Sequence, residues 1–81
     1  MKNGMRKIHP GEVLKEEFLV PLDMDENELA EKTGIPLHVI IGLVMETRGV
    51  NDHSATQLAK HFGTSKEFWT NLQKSYDDRK V

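Results

Sequence analysis

The stretch NELAEKTGIPLHVIIGLVMETRG, Asn27 to Gly49, carries two short helical segments around one turn. In the first segment Leu29 and Ala30 turn inward, and Gly34 ends the helix in the left-handed conformation that glycine tolerates best. Pro36 then opens the second segment. There Leu37, Val39, Ile40, Ile41, Leu43, Val44 and Met45 put apolar groups on nearly every face, and Gly49 closes the helix. A short helix in a small protein can bury one face, so the outer face of this one needs an explanation.

The spacing has a physical logic. A small Ala30 lets the second helix approach the first closely, Gly34 permits the turn, and the branched residues Ile40 and Leu43 anchor the second helix to a core. That is a helix-turn-helix, whose second helix can enter a DNA major groove. A plain helical hairpin has the same spacing.

Outward from this stretch, helix signals recur and strand signals are absent. Upstream, Pro10 suits a first helical position and Glu12 the positive end of the helix dipole. Val13, Leu14 and Phe18 form an apolar side, and Pro21 is expected to stop this first helix. Asp25 and Glu28 make a capping-box-like start for the second. Downstream, Asn51 caps a fourth helix whose Ala55, Leu58, Ala59 and Phe62 form one stripe, ended by Gly63. Thr64 and Glu67 are expected to cap a fifth, with Phe68, Trp69, Leu72 and Tyr76 on its apolar side. The closing DDRKV is charged and expected to fray. Five short helices with tight links make an all-α single domain over residues 1–81, its core about residues 8–77 between short flexible ends.

Composition agrees. At 81 residues the chain is enough for one core. It has no cysteine, so neither disulfides nor thiolate metal sites are available. No run approaches the roughly 18 apolar residues of a membrane span, and MKNGMRKIHPGE lacks the apolar region of a secretory signal. A cytoplasmic protein with no membrane contact is the expectation. The net charge of −2 and pI of about 6.0 are not those of a typical nucleic-acid binder, though a local basic patch can suffice.

Enzymatic chemistry finds little footing. His9, His38, His53 and His61 have no metal-ligand spacing, and no glycine-rich phosphate loop is present. Asp52-His53-Ser54 contains triad residue types, but a triad is a spatial constellation, and three neighbours at a helix start read as capping residues. No enzyme, cofactor or metal is expected.

From about Met5 to Asp77 the chain resembles the HigA-type antitoxins of the Xre, or lambda-repressor-like, helix-turn-helix family. The resemblance is carried by IHPGEVLKEEFLVPL (Ile8 to Leu22), NELAEKTGIP (Asn27 to Pro36), RGV (Arg48 to Val50) and GTSKEFWTNLQKSYD (Gly63 to Asp77). It implies a compact five-helix lambda-repressor-like domain and a homodimer that binds double-stranded operator DNA and represses its own operon. It also implies pairing with a HigB-type mRNA-cleaving toxin. The family's dimer contacts usually involve the C-terminal helix, here Phe68, Trp69, Leu72 and Tyr76. Of these, Phe68 and Leu72 are expected in the core, and Trp69 or Tyr76 nearer a partner.

The resemblance also assigns the third helix to base reading. With Ile40 pointing at the core and about 100° per residue, Leu43, Val44 and Thr47 face inward and Leu37 lies near the edge. His38, Gly42 and Met45 then face outward, with Ile41 on one flank and Val39 and Glu46 on the other. No Arg, Lys, Asn or Gln stands between Leu37 and Thr47, although these types read guanine and adenine edges. The contacts left are His38 to a guanine acceptor, Ile41, Val39 and Met45 to thymine methyls, and close backbone approach at Gly42. Asp25 and Glu26 should repel the DNA backbone, whereas Asn27 keeps a neutral donor. Arg48, at a basic family position, is the best phosphate contact, and Lys2, Arg6 and Lys7 can add reach from the N-terminal arm.

The nucleic-acid set is thus Asn27, Leu37, His38, Ile41, Gly42, Met45 and Arg48. Three readings of the apolar face stay open: DNA read by shape and methyl contacts, a protein-contact patch, or a helix rotated from the assumed frame. The rival function is a HigA-like protein-interaction module with weak or lost DNA binding.

Overall fold

The computed structural model describes residues 7–78, so the expectations for Lys2, Arg6 and the last three residues lie outside it. Among the described residues five helices follow one another and no strand occurs.

The first helix, α1, is continuous but changes register. It runs as an α-helix over Pro10–Val13, as a π-helix over Leu14–Leu19, and as an α-helix again over Val20–Leu22. His9 caps it: Nδ1 accepts the Gly11 N–H at 2.8 Å. Pro21 does not stop the helix as expected. The preceding turn is widened, with the Val20 N–H reaching back five residues to Lys15 O, and a π-turn of this kind relieves the register that a proline blocks. The carbonyls that Pro21 leaves without a donor are on the side of Glu16 and Glu17, which is open to water. Asp23, at φ 54°, makes the stop instead.

Helix α2 (Glu26–Thr33) starts on Asp25, whose carboxylate accepts the Glu28 N–H at 2.8 Å, and ends on Gly34 at φ 77°. Thr33 builds the turn that follows. Its hydroxyl donates to Leu29 O at 2.7 Å and accepts the Ile35 N–H at 3.2 Å. Ile35 and Pro36 then lead into α3 (Leu37–Val44). Helix α4 (Asp52–Phe62) has a complete capping box between Asn51 and Ser54. Its Gln57 side chain donates to Thr33 O at 2.8 Å and ties the turn to the rest of the fold.

Helix α5 (Lys66–Asp78) starts one residue later than expected. Ser65, not Thr64, is its cap and accepts the Phe68 N–H at 3.0 Å. The Thr64 hydroxyl is taken by another partner, the indole N–H of Trp69, at 2.9 Å. Lys66 pairs with Asp52 across the α4–α5 corner. This hydrogen bond and the carboxylate charge hold the Lys66 ammonium above its ordinary pKa.

The core gathers Leu14, Leu19, Leu29, Ile35, Ile40, Leu43, Ala55, Leu58 and Trp69. Burial of such side chains is worth about 1.5–3 kcal/mol each for the aliphatic ones. Helices α1, α2, α4 and α5 therefore form a scaffold on which one side of α3 is seated.

Candidate nucleic-acid interface

Helix α3 buries Ile40, Gly42 and Leu43 and half-buries Val39 and Val44. Its open side is a single stripe of Leu37, Ile41 and Met45 with His38 beside it; Met45 is 67 % exposed, Ile41 40 % and Leu37 37 %. The helix is thus turned from the frame that put Ile40 at the centre of the buried side. Leu37 and Ile41 are more open than that frame has them, and Gly42 is closed.

The cover on Gly42 is Arg48. A Cβ built on Gly42 would meet Arg48 Cγ at 2.7 Å, Cδ at 2.9 Å and Nε at 3.2 Å. The chain returns there because α3 ends at Val44, well before Gly49. Glu46 takes the left-handed conformation at φ 62°, its N–H donates to Leu43 O at 3.0 Å, and the Thr47 N–H donates to Gly42 O at 2.8 Å. This is a Schellman-type end with a glutamate where glycine is usual. Thr47, expected inward, is exposed as a result. Gly49 serves a different purpose, since a Cβ there would stand 2.5 Å from Gln73 Oε1, which accepts the Val50 N–H at 2.8 Å.

Among the described residues the Arg48 guanidinium has no hydrogen-bond or ion-pair partner. Asn27, on the first turn of α2, is exposed and its side chain is likewise free within the described residues. Around it Asp25, Glu26, Glu28 and Glu31 make that helix acidic, and Asp25 already occupies the cap where a phosphate would sit. Helix α3 starts without a side-chain cap; the Val39 N–H donates to Pro36 O at 3.0 Å, and the N–H groups of Leu37 and His38 keep their capacity for an acceptor. Lys7 stands over Tyr76 of α5, its ammonium 5.0 Å from the centre of the ring.

The expected division of the α5 residues fails at Phe68 and Trp69, while Leu72 packs against the core and Tyr76 keeps some surface. Trp69 is fully buried, wedged among Phe18, Phe62 and Phe68 with its N–H satisfied, so it has no surface to offer a partner. Phe68 is 39 % exposed, and Leu72 and Tyr76 are half-buried. A bulky aromatic with one polar atom is well suited to a core where that atom finds a partner, and Thr64 is that partner.

No triad forms around Asp52-His53-Ser54. Asp52 pairs with Lys66, Ser54 is buried in the capping box, and His53 is exposed. Among the described residues no group of three His, Asp or Glu side chains is arranged to hold a metal, and no helix is long and apolar enough to cross a membrane.

What sequence reasoning missed is the contact between Gly42 and Arg48, both of which it names at the candidate interface separately. The one available signal was a glycine inside an apolar helix, which marks a close approach. Sequence reasoning assigned that approach to DNA, whereas Arg48 makes it.

No family model matches the chain. Similar proteins are nevertheless found. The chain is 40% identical over 78 residues to the HTH-type transcriptional regulator YbaQ of Escherichia coli K12, covering 95% of this chain and 69% of YbaQ. It is 35% identical over 77 residues to antitoxin HigA-1 of Vibrio cholerae, covering 94% and 71%. The structure of the Pseudomonas aeruginosa antitoxin HigA with the higBA promoter superposes with a TM-score of 0.87 at 39% identity, covering 89% of this chain and 78% of that one.

Proposed function

The chain belongs to the HigA-type family of helix-turn-helix antitoxins, and from that premise we propose that it is a cytoplasmic, homodimeric operator-binding repressor of its own operon that also neutralises a HigB-type toxin. The role is regulatory, as the names of its relatives are, and not enzymatic.

The observation that carries the reading is the open stripe of α3. The second helix of a helix-turn-helix stands on a rigid scaffold with Leu37, His38, Ile41 and Met45 facing solvent. Such a helix reads base edges in the major groove. Leu37, Ile41 and Met45 suit thymine methyl groups, and His38 can donate to a guanine acceptor. The free N–H groups at the start of α3 suit a backbone phosphate, and Asn27 can reach a neighbouring one. Among the dimer candidates Phe68 and Tyr76 keep accessible surface and Trp69 does not. The test is binding of the full chain to its own upstream DNA, with Ile41→Glu as the variant that should abolish it.

Two observations favour a second reading. The exposed stripe is apolar, and the neighbouring helix α2 is acidic around Asp25, Glu26 and Glu28. These features suit a protein partner on α3, and a chain that dimerises but binds no duplex at low salt would fit that reading.

A further inference from the structure

If α3 reads DNA, it does so without the side chains that read DNA best. From Leu37 to Thr47 it offers no Arg, Lys, Asn or Gln, so most of its hydrogen-bonding discrimination has to be supplied from outside the helix.

Arg48 is placed to supply it. Its Cγ, Cδ and Nε lie 2.7–3.2 Å from where a Cβ of Gly42 would be, so its stem occupies the room of an absent side chain on α3. Its backbone is fastened at the same point. Gly42 O accepts the Thr47 N–H at 2.8 Å, the Thr47 hydroxyl at 3.3 Å and the Arg48 N–H at 3.3 Å. Position 42 is a helix-surface neighbour of His38 and Met45, four residues before it and three after. An arginine laid across position 42 therefore borders the exposed stripe, and its guanidinium is unpaired among the described residues.

Resting on the DNA-binding reading above, we propose that Arg48 is a further base-reading residue of this interface, delivering its guanidinium to the O6/N7 edge of a guanine, and that Gly42 is the positioning residue that lets it do so. The sequence alone suggested a phosphate contact. A phosphate can be neutralised by a point charge from many directions, whereas the two-pronged contact with the guanine edge requires a planar guanidinium held in one orientation. A stem packed against a helix backbone provides that orientation.

The experiment uses the full chain and two variants, Arg48→Ala and Gly42→Ala. Each selects duplexes from a randomised pool, and affinities are then measured on the winning duplex and its single-base changes over a range of salt. Gly42→Ala puts a methyl group where the Arg48 stem lies and keeps every charge, and alanine in a helix favours folding. The wild type should enrich a motif containing a guanine. Both variants should lose the preference at that one position, by roughly 10- to 100-fold, and Gly42→Ala should keep the wild-type salt slope. Uniform weakening by Arg48→Ala across all duplexes, with Gly42→Ala indistinguishable from wild type, would show a phosphate contact and overturn the proposal alone. A wild type that enriches no motif would overturn the DNA-binding reading and this proposal with it.

Discussion

The first turn of α1 rests directly on the end of α3: a Cβ on Gly11 would stand 1.6 Å from the carbonyl oxygen of Leu43. Backbone meets backbone there, so no side chain can move aside. Gly11→Ala is expected to force the two helices apart and to cost about 3 kcal/mol, read as a lower urea midpoint with an unchanged slope. Because α1 seats α3, DNA affinity measured on the remaining folded protein should fall as well.

Glu46 holds a left-handed conformation that costs a non-glycine residue roughly 1 kcal/mol. Glu46→Gly removes that cost and keeps the two hydrogen bonds of the helix end, so thermal unfolding should shift upward, by an amount corresponding to about 0.5–1 kcal/mol. No shift would mean that glycine's freedom in the unfolded chain cancels the relief.

Thr64 and Trp69 make a second testable pair. Thr64→Val leaves the indole N–H inside the protein without its partner, and the expected loss is about 1–2 kcal/mol. Thr64→Ser keeps the hydroxyl and should stay near wild type. Tryptophan fluorescence reports both the melt and any change around the ring. Trp69→Ala should cost more, about 3–5 kcal/mol, because the ring fills the core between α1, α4 and α5.

These residues also mark where the sequence was legible. Asp25, Asn51, Gly34 and Gly63 announce helix ends by local chemistry, and each does in the structure what its type suggests. The stripe of Ala55, Leu58, Ala59 and Phe62 is equally plain from its spacing: the first three are buried and Phe62 packs half-buried against the core. The π-turn before Pro21 was not legible, since the register of a helix depends on what its carbonyls face. The end of α3 at Val44 was hidden because a glutamate took the place of the usual glycine signal. Ser65 and Thr64 could each cap α5, and only the position of Trp69 decides between them. On the candidate interface the sequence places His38 and Met45 outward and both are exposed, while Ile41, placed on a flank, is exposed as well. Gly42 was placed outward too, but Arg48 comes from six positions away to cover it, and no periodicity encodes that contact.

The acidic start of α2 yields an electrostatic prediction. Glu26→Gln removes one charge where that helix would face the DNA backbone and leaves the Asp25 cap in place. Affinity for operator DNA should rise a few-fold at low salt, and the gain should shrink as salt screens it. An unchanged affinity at low salt would place this end of α2 away from the phosphates.

The most direct test of the central claim is fluorescence anisotropy of the full chain with DNA from its own upstream region and with scrambled DNA, at low and moderate salt. An operator-binding α3 should give tight binding to the upstream duplex, weak binding to the scrambled one, and a shallow salt slope matching a few phosphate contacts. Absence of binding to both duplexes at low salt, by a protein that is folded, would contradict it and would assign the open stripe of Leu37, Ile41 and Met45 to a protein partner.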